Sequence, residues 1–518
     1  MNDHTGKTVP RPSGVRDVLP DEAHAIRRVV GQLEADLERY GYQLVDTPIV
    51  EYAELFLTKV GDDLLRRLYE FELRGRSLCL RPEYTAAIAR LYVENLQHHP
   101  KPIRLQFSGP IFRYETFGSY RSRQTTVVGA ELLGASGPVA DAEIVGLAHH
   151  ALSSVGIGEP KLILGNIGLI ARCLQHFDLD RQTQQLIIGQ IENLRRPDRG
   201  RGYVMRQLGT LMEGDLGGLL GVARPSEDEH PIGIDGEPEA EDEIARVVDV
   251  MLGSAVVDSH GSRSLEEIAS RLSAKLRRAR QREEIVRALE FVEGLCQLHG
   301  TPGQVLDALR ERLRGYGAAL ETLGGLAETI GLLPHYGLRE EQIELEVGLA
   351  RGVAYHTDII FEMHAPTGPA QHVCSGGRYD DLLQLLGSSQ PVPAAGFSIY
   401  VEPVIETLDA GGRVDASTRQ ADFLVLAVTD DEVAHSIRAA QALRELGARV
   451  ELDCRPATSL KTRLGYASRL GFPYVVVVGP DEVESGTLSL REMATKRQTQ
   501  WPLEDVSRLL TELGVLDE

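Results

Sequence analysis

The sequence predicts an α+β core with a mainly antiparallel sheet, split by a mostly helical insertion and followed by a small α/β domain. Three observations predict it. Strand-like runs at Tyr42–Val45, Ser77–Leu80, Ile103–Phe107 and Thr126–Leu133 are bordered by helices without strict alternation, which favours an antiparallel arrangement. Residues 161–340 read as mostly helical. Beyond position 421, apolar runs and amphipathic segments follow one another as β-α-β-α-β, the order of a largely parallel sheet.

The elements follow in order. An opening helix places Ile26, Val29, Val30, Leu33, Leu37 and Tyr40 on one face. Asp21 is its candidate cap, and Gly41 stops it. Helical patterns return at Thr85–Gln97 and Ala140–Val155. Within the insertion, Ser226–Glu243 is rich in Glu, Asp, Pro and Gly and reads as a mobile loop. Strand character resumes at Glu344–Val347 and Asp358–Phe361 and continues to Val404, so residues 1–160 and 341–408 belong to one core. The polar stretch Leu408–Gln420 marks a boundary. Domain 421–518 then offers strand Phe423–Val428, helix Glu432–Leu446, strand Arg449–Leu452, helix Ser459–Leu470 and strand Tyr474–Val478.

The bulk numbers narrow the function classes. At 518 residues the chain should hold two to four domains. Hydrophobic residues at 42% and charged residues at 25% exclude wholesale disorder. No apolar run approaches the ~20 residues of a membrane span, and the polar start MNDHTGKTVPRPSG is no signal peptide. Five scattered cysteines without a Cys-x-x-Cys pair indicate neither a disulfide framework nor a zinc knuckle. A reducing cytoplasm, no membrane partner and no tightly bound cofactor are the expectations. The net charge of −21 argues against non-specific adhesion to nucleic acid while leaving room for a local basic groove.

Four stretches carry chemistry. In Leu80-Arg81-Pro82-Glu83-Tyr84-Thr85 a carboxylate and a hydroxyl two residues apart suit an ammonium group; equally, they simply begin a helix. Gly109–Glu115, continuing through Tyr120–Arg123 to Gly129-Ala130-Glu131, reads as two strands joined by a loop. Arg113, Arg121 and Arg123 there suit phosphate, because guanidinium stays charged and binds oxygens bidentately; the alternative is a solvated basic hairpin. Leu349–Thr357 sets Arg351 beside a glycine able to approach a ligand, with Tyr355 and His356 as pocket or core aromatics. Cys374–Asp381 is a tight glycine turn before an amphipathic helix.

In this order the stretches resemble the histidyl-tRNA synthetase family over nearly the whole chain. Arg11-Pro12-x-Gly14-x-Arg16-Asp17 matches the family's opening, and Pro48 looks like the end of the first class II motif. The arginine segment matches the second motif, while Arg351-Gly352-x-x-Tyr355 and Gly376-Gly377-Arg378-Tyr379-Asp380 resemble the two histidyl signatures. The resemblance implies a class II synthetase-type antiparallel sheet and a C-terminal anticodon-binding-like domain. It implies that Glu83 and Thr85 hold the amino group of histidine, that Glu131 recognises its imidazole, and that Tyr355, His356 and Tyr379 line the pocket. Arg113 and Arg121 would contact ATP, Arg351 would stabilise charge developing on the phosphate, and magnesium would accompany ATP. A homodimer paired around the first motif is implied as well.

Some positions depart from the pattern. Gly396-Phe397-Ser398-Ile399-Tyr400-Val401-Glu402-Pro403 resembles the third class II motif with Pro403 in the arginine's place. Val127 stands where a histidine-binding glutamine is usual, Ala354 where an acid is, and His356 where a second tyrosine is. The loop Thr116–Ser122 lacks the usual Pro-Gln. One lost charge-assisted contact costs ~1.5–3 kcal/mol, and the ATP side loses most. The expectation is therefore a histidine-binding regulatory paralogue, similar to the ATP phosphoribosyltransferase regulatory subunit of histidine biosynthesis, with the phosphoribosyltransferase catalytic subunit as partner. Leu164-Gly165-Asn166-Ile167-Gly168 resembles that branch. Residues 421–518 fit the alternative, an active ligase charging tRNA(His).

Overall fold

The first helix, α1 (Pro20–Arg39), buries Val29, Leu33 and Leu37 along one stripe. Each such aliphatic side chain contributes about 1.5–3 kcal/mol. Leu19, not Asp21, is its N-cap; Pro20 suits the first helical position, and Asp21 lies in the first turn, where its charge complements the helix dipole. The computed structural model describes residues 9–57, 67–114, 122–196, 198–208, 282–350, 355–367, 372–411, 421–455 and 458–515. The predicted loop Ser226–Glu243 lies outside them.

The chain divides into two units, Met1–Val414 and Asp415–Glu518. In the first, nine strands form one sheet: β1 (Gln43–Leu44), β5 (Ile103–Phe112), β6 (Gln124–Leu133), β7 (Lys161–Asn166), β8 (His299–Gly300), β9 (Ile343–Glu346), β10 (Ile359–His364), β11 (His372–Arg378) and β12 (Ala394–Tyr400). Their order is β1-β5-β6-β12-β11-β10-β7-β9-β8. Within this sheet, among the described residues, only the β1–β5 and β7–β9 pairs run parallel. A smaller antiparallel sheet joins β2 (Val50–Tyr52), β4 (Arg76–Leu80) and β3 (Tyr69–Leu73).

Period-two alternation gives the large sheet two apolar faces. On one, α3 (Pro138–Ser154) and α1 pack with the helices of the middle segment over Val128, Ala130, Phe361 and Ile399. On the other, α2 (Thr85–Leu91), continued by a π-helical turn over Tyr92–Leu96, packs with Phe107, Val127, Tyr355 and Tyr379. The candidate site lies on this second face. The helix α4 (Val401–Ala410) leaves the end of β12 directly.

In the second unit, β14 (Val450–Leu452), β13 (Phe423–Ala427) and β15 (Tyr474–Val478) are parallel, with α5 (Val433–Glu445) and α6 (Leu460–Arg469) between them in sequence. The sheet extends beyond the predicted strands. Thr487–Glu492 (β16) and Gln498–Pro502 (β17) add an antiparallel hairpin. Its turn holds Lys496 at φ 60°, a left-handed position usually marked by glycine or asparagine, so the sequence carried no turn signal there. Among the described residues no helix is long and apolar enough to cross a membrane.

Candidate active site

The site is built around one carboxylate on β6. Glu131 pairs across the sheet with Leu105 on β5 and Gly396 on β12. A Cβ at Gly396 would lie 1.6 Å from Glu131 Oε2, so glycine there is what leaves room for the side chain. Glu131 is only 1% exposed. Its Oε1 accepts the Thr85 hydroxyl at 2.7 Å, and its Oε2 accepts the Tyr379 hydroxyl. Burial pushes its carboxyl up to about 8, against the pull of those two hydroxyls.

The helix α2 supplies the next group. Glu83 stands just before it and accepts from the backbone N–H of Thr85 at 2.6 Å and of Ala86 at 2.9 Å. The carboxylate thus takes two of the amides a helix start leaves unpaired. Burial raises its pKa, while those amides and Arg113 oppose the rise. The helix-starting role and a pocket-facing one coexist, because Thr85 turns its hydroxyl to Glu131. The phenol of Tyr355 stands 3.5 Å from Glu83 Oε2 and meets the Tyr379 ring edge-on, centroids 5.6 Å apart. Both phenols are held well above their ordinary pKa by burial and the neighbouring carboxylates. His356 lies 5.1 Å from the Tyr355 ring, over Gly377, where a Cβ would approach its Cδ2 to 2.5 Å.

Arg113 forms the rim. Its Nε donates to Pro82 O at 2.8 Å. Burial opposes the guanidinium charge, yet the nearby Tyr400, Glu83 and Tyr355 hold its pKa above the ordinary arginine value. Arg378 plays a different part. It bonds Asp141 at 2.7 Å, Asp380 at 2.9 Å and Ala135 O at 3.1 Å, which ties β11 to α3 and fixes the backbone beside Tyr379. Arg123 is engaged with the N-terminal segment: it donates to Ser13 O at 2.9 Å, and its guanidinium stacks 3.9 Å from the Tyr114 ring.

Glu83, Thr85, Glu131, Tyr355 and Tyr379 therefore converge, with Arg113 at their edge and His356 beside them. Arg351, Ala354 and Arg121 lie outside the described residues. Pro403 is the third residue of α4, a position that tolerates proline. Val127 pairs across the sheet with Tyr400. Sequence reasoning did not name Asp141, and it placed Gly396, Ser375 and Tyr400 in motif stretches without giving them a role; the period-two register of β6, β11 and β12 is the signal that groups Gly396, Ser375 and Tyr400 on the face of Glu131.

Residues 14–197 and 244–404 match the family model described as Histidyl-tRNA synthetase, and residues 422–513 match Anticodon binding domain. The chain belongs to the histidyl-tRNA synthetase family. A histidine--tRNA ligase of Thermococcus kodakarensis is 30% identical over 97% of this chain and 98% of its own length. One from Methanocaldococcus jannaschii is 28% identical over 94% of this chain and 96% of its own. The histidyl-tRNA synthetase of Nostoc sp. PCC 7120 superposes with a TM-score of 0.63 at 18% identity, covering 98% of this chain and 99% of that one. A protein from Bacillus halodurans C, described as an ATP phosphoribosyltransferase regulatory subunit/histidyl-tRNA synthetase, gives 0.59 at 20%, covering 92% and 99%. These likenesses establish the class II fold.

The expectation of a regulatory paralogue is overturned. The curated relatives that match this family member almost end to end, through the C-terminal unit, are histidine--tRNA ligases. That expectation rested on charges lost residue by residue at Pro403, Val127 and Ala354. It took no account of the side chains that the fold gathers around Glu131.

Proposed function

We propose that this protein is a histidine–tRNA ligase. A carboxylate oxygen of histidine attacks the α-phosphorus of ATP, the bond to pyrophosphate breaks, and the histidyl adenylate then acylates the terminal ribose hydroxyl of tRNA(His), releasing AMP. The observation that supports this most is the buried Thr85–Glu131–Tyr379 cluster, whose carboxylate occupies the space that Gly396 leaves open. In it Glu131 accepts from the imidazole, Glu83 and Thr85 receive the ammonium group, and Tyr355, Tyr379 and His356 form the walls.

Arg113 and Arg121 bind the phosphates, and Arg351 offsets charge as the α-phosphorus gains a fifth oxygen. Positioned cations of this kind lower such a barrier without a general base. Magnesium bound with ATP would supply charge neutralisation for the leaving pyrophosphate; Glu362, buried on the Ser375 side of the same face and 2.9 Å from His364 Nε2, is an oxygen donor of the kind that would hold that ion. The segments 1–160 and 341–408 make the catalytic core, whose sheet also takes in Lys161–Asn166 and His299–Gly300; the rest of 161–340 interrupts it, and 421–518 reads the tRNA. The protein works as a homodimer in the cytoplasm. Histidine-dependent ATP–pyrophosphate exchange tests the first half-reaction. Exchange that needs histidine supports the reading, and its absence with active-site-competent, folded protein rejects it.

A further inference from the structure

Arg113 lies one residue past the end of β5, where the strand ladder alone does not hold it. The last paired residues of β5 and β6 are Phe112 and Gln124. One step further, the Arg113 N–H donates to Arg123 O at 2.9 Å. The flanking amides point the other way: Phe112 N–H donates to Arg81 O at 3.0 Å and Tyr114 N–H to Arg67 O at 2.7 Å. The backbone of Arg113 is therefore held from both edges, and its Nε is tied to Pro82 O at 2.8 Å. How firmly Arg113 is aimed depends on what holds Arg123.

That hold comes from the N-terminal segment. Gly14 O accepts the Arg123 N–H at 2.9 Å, and Ser13 O accepts from Arg123 Nη1 at 2.9 Å. The guanidinium also stacks on the Tyr114 ring, 3.9 Å from its centroid. Arg123 is 7% exposed, whereas Ser13 and Gly14 are themselves exposed, so the segment lies over it as a strap. Further along the strap, Arg16 bonds both oxygens of Glu22 in the first turn of α1. Gly14 is fitted to its contact twice over. Its φ is +81°, and a Cβ there would lie 2.4 Å from Arg123 Cδ. These contacts give the donors of Arg123 a use other than the phosphate that the sequence suggested.

Resting on the ligase reading, we propose that Arg123 is a positioning residue for adenylation: strapped by Ser13 and Gly14, its main chain fixes Arg113 on the phosphate side of the site.

The test uses the full-length chain with Gly14→Ala, Arg123→Ala, Arg123→Lys, Arg113→Ala and the pair Gly14→Ala with Arg113→Ala. Pyrophosphate exchange is followed with kcat and the KM for ATP and for histidine separated. Equilibrium binding of ATP and of histidine, and the melting temperature, are measured beside it. Gly14→Ala and Arg123→Ala are each expected to lose about 10-fold in kcat/KM for ATP, the low end for one hydrogen bond to a charged group. Their histidine affinity stays within twofold of wild type. Arg123→Lys, which can still donate to Ser13 O, recovers part of the Arg123→Ala loss. In the Arg113→Ala background Gly14→Ala adds less than twofold, because both act through one side chain. Exchange by both alanine variants within twofold of wild type overturns the inference and leaves the ligase reading standing. So does an equal fall in histidine affinity, or a further 10-fold loss in the Arg113→Ala background. Should an alanine variant fail to fold, the ATP and histidine losses of Arg123→Lys decide in the same way. If the wild-type chain binds ATP without exchanging, the ligase reading fails and ATP affinity decides here: weaker binding by Gly14→Ala supports the role, equal binding overturns it. A wild-type chain that binds no ATP overturns it too.

Discussion

Replacing Glu131 by glutamine tests the electrostatics of the pocket with little change in shape. The amide oxygen can accept from one of Thr85 and Tyr379, and the amide nitrogen can donate to the other after that hydroxyl rotates. The charge behaviour changes completely. Burial raises the carboxyl from its ordinary 4.5 to about 8. A carboxyl with a raised folded pKa binds its proton more tightly in the folded chain. Its contribution favours folding below about pH 4.5, declines as pH rises, and is fully lost above about pH 8. The span 8 − 4.5 = 3.5 pH units sets a ceiling of about 5 kcal/mol, and relaxation with water penetration brings the real figure down to a few kcal/mol. Glutamine has no such slope. Thermal denaturation of the histidine-free chain between pH 5.5 and 8.5 reads the difference. Wild type should lose several degrees relative to Glu131→Gln across this window. Parallel curves would refute the reasoning. Histidine binding at pH 8.5, where most of the Glu131 carboxyl is ionised, should weaken about 10-fold or more in the variant, because one partner of a charge-assisted bond is gone.

Three further outcomes follow from the same geometry. Gly396→Ala places a methyl where Glu131 sits; calorimetry should show histidine binding lost and overpacking should cost about 1–3 kcal/mol, whereas near-wild-type affinity would sink the account of the cluster. Arg113→Ala should cut pyrophosphate exchange about 10²–10³-fold while histidine affinity holds within a few-fold; an equal fall in both would mean that Arg113 supports the pocket and not the phosphate. Asp141→Ala leaves the buried Arg378 charge with Asp380 as its remaining carboxylate partner. That should cost about 3 kcal/mol, the low end for breaking a buried pair, seen as a lower urea midpoint with looser histidine binding through Tyr379; an unchanged midpoint would contradict it.

Much of this site was legible before any coordinates, for a physical reason. Glu83, Thr85 and Arg113 lie in short runs whose residue types suit a chemistry, and the order of those runs along the chain resembles one family, which is what points to Glu131 and Tyr379. Apolar alternation likewise exposed the strands that carry them. Register was not legible. Nothing local says that Gly396 faces Glu131, that Asp141 on α3 reaches Arg378, or that Tyr400 reaches Ser375. Those pairings join positions far apart in sequence. The regulatory reading, overturned by the nearly full-length likeness to histidine--tRNA ligases, weighed Pro403 and Val127 one residue at a time, without the neighbours that the sheet brings beside them.

The most direct test is charging of a tRNA(His) transcript with labelled histidine by the full-length chain, with Arg351→Ala run beside it. The account predicts ATP-dependent formation of histidyl-tRNA that collapses in the Arg351→Ala chain, whose fold and histidine affinity are retained. No charging by the wild-type protein, or charging that Arg351→Ala performs equally well, would contradict it.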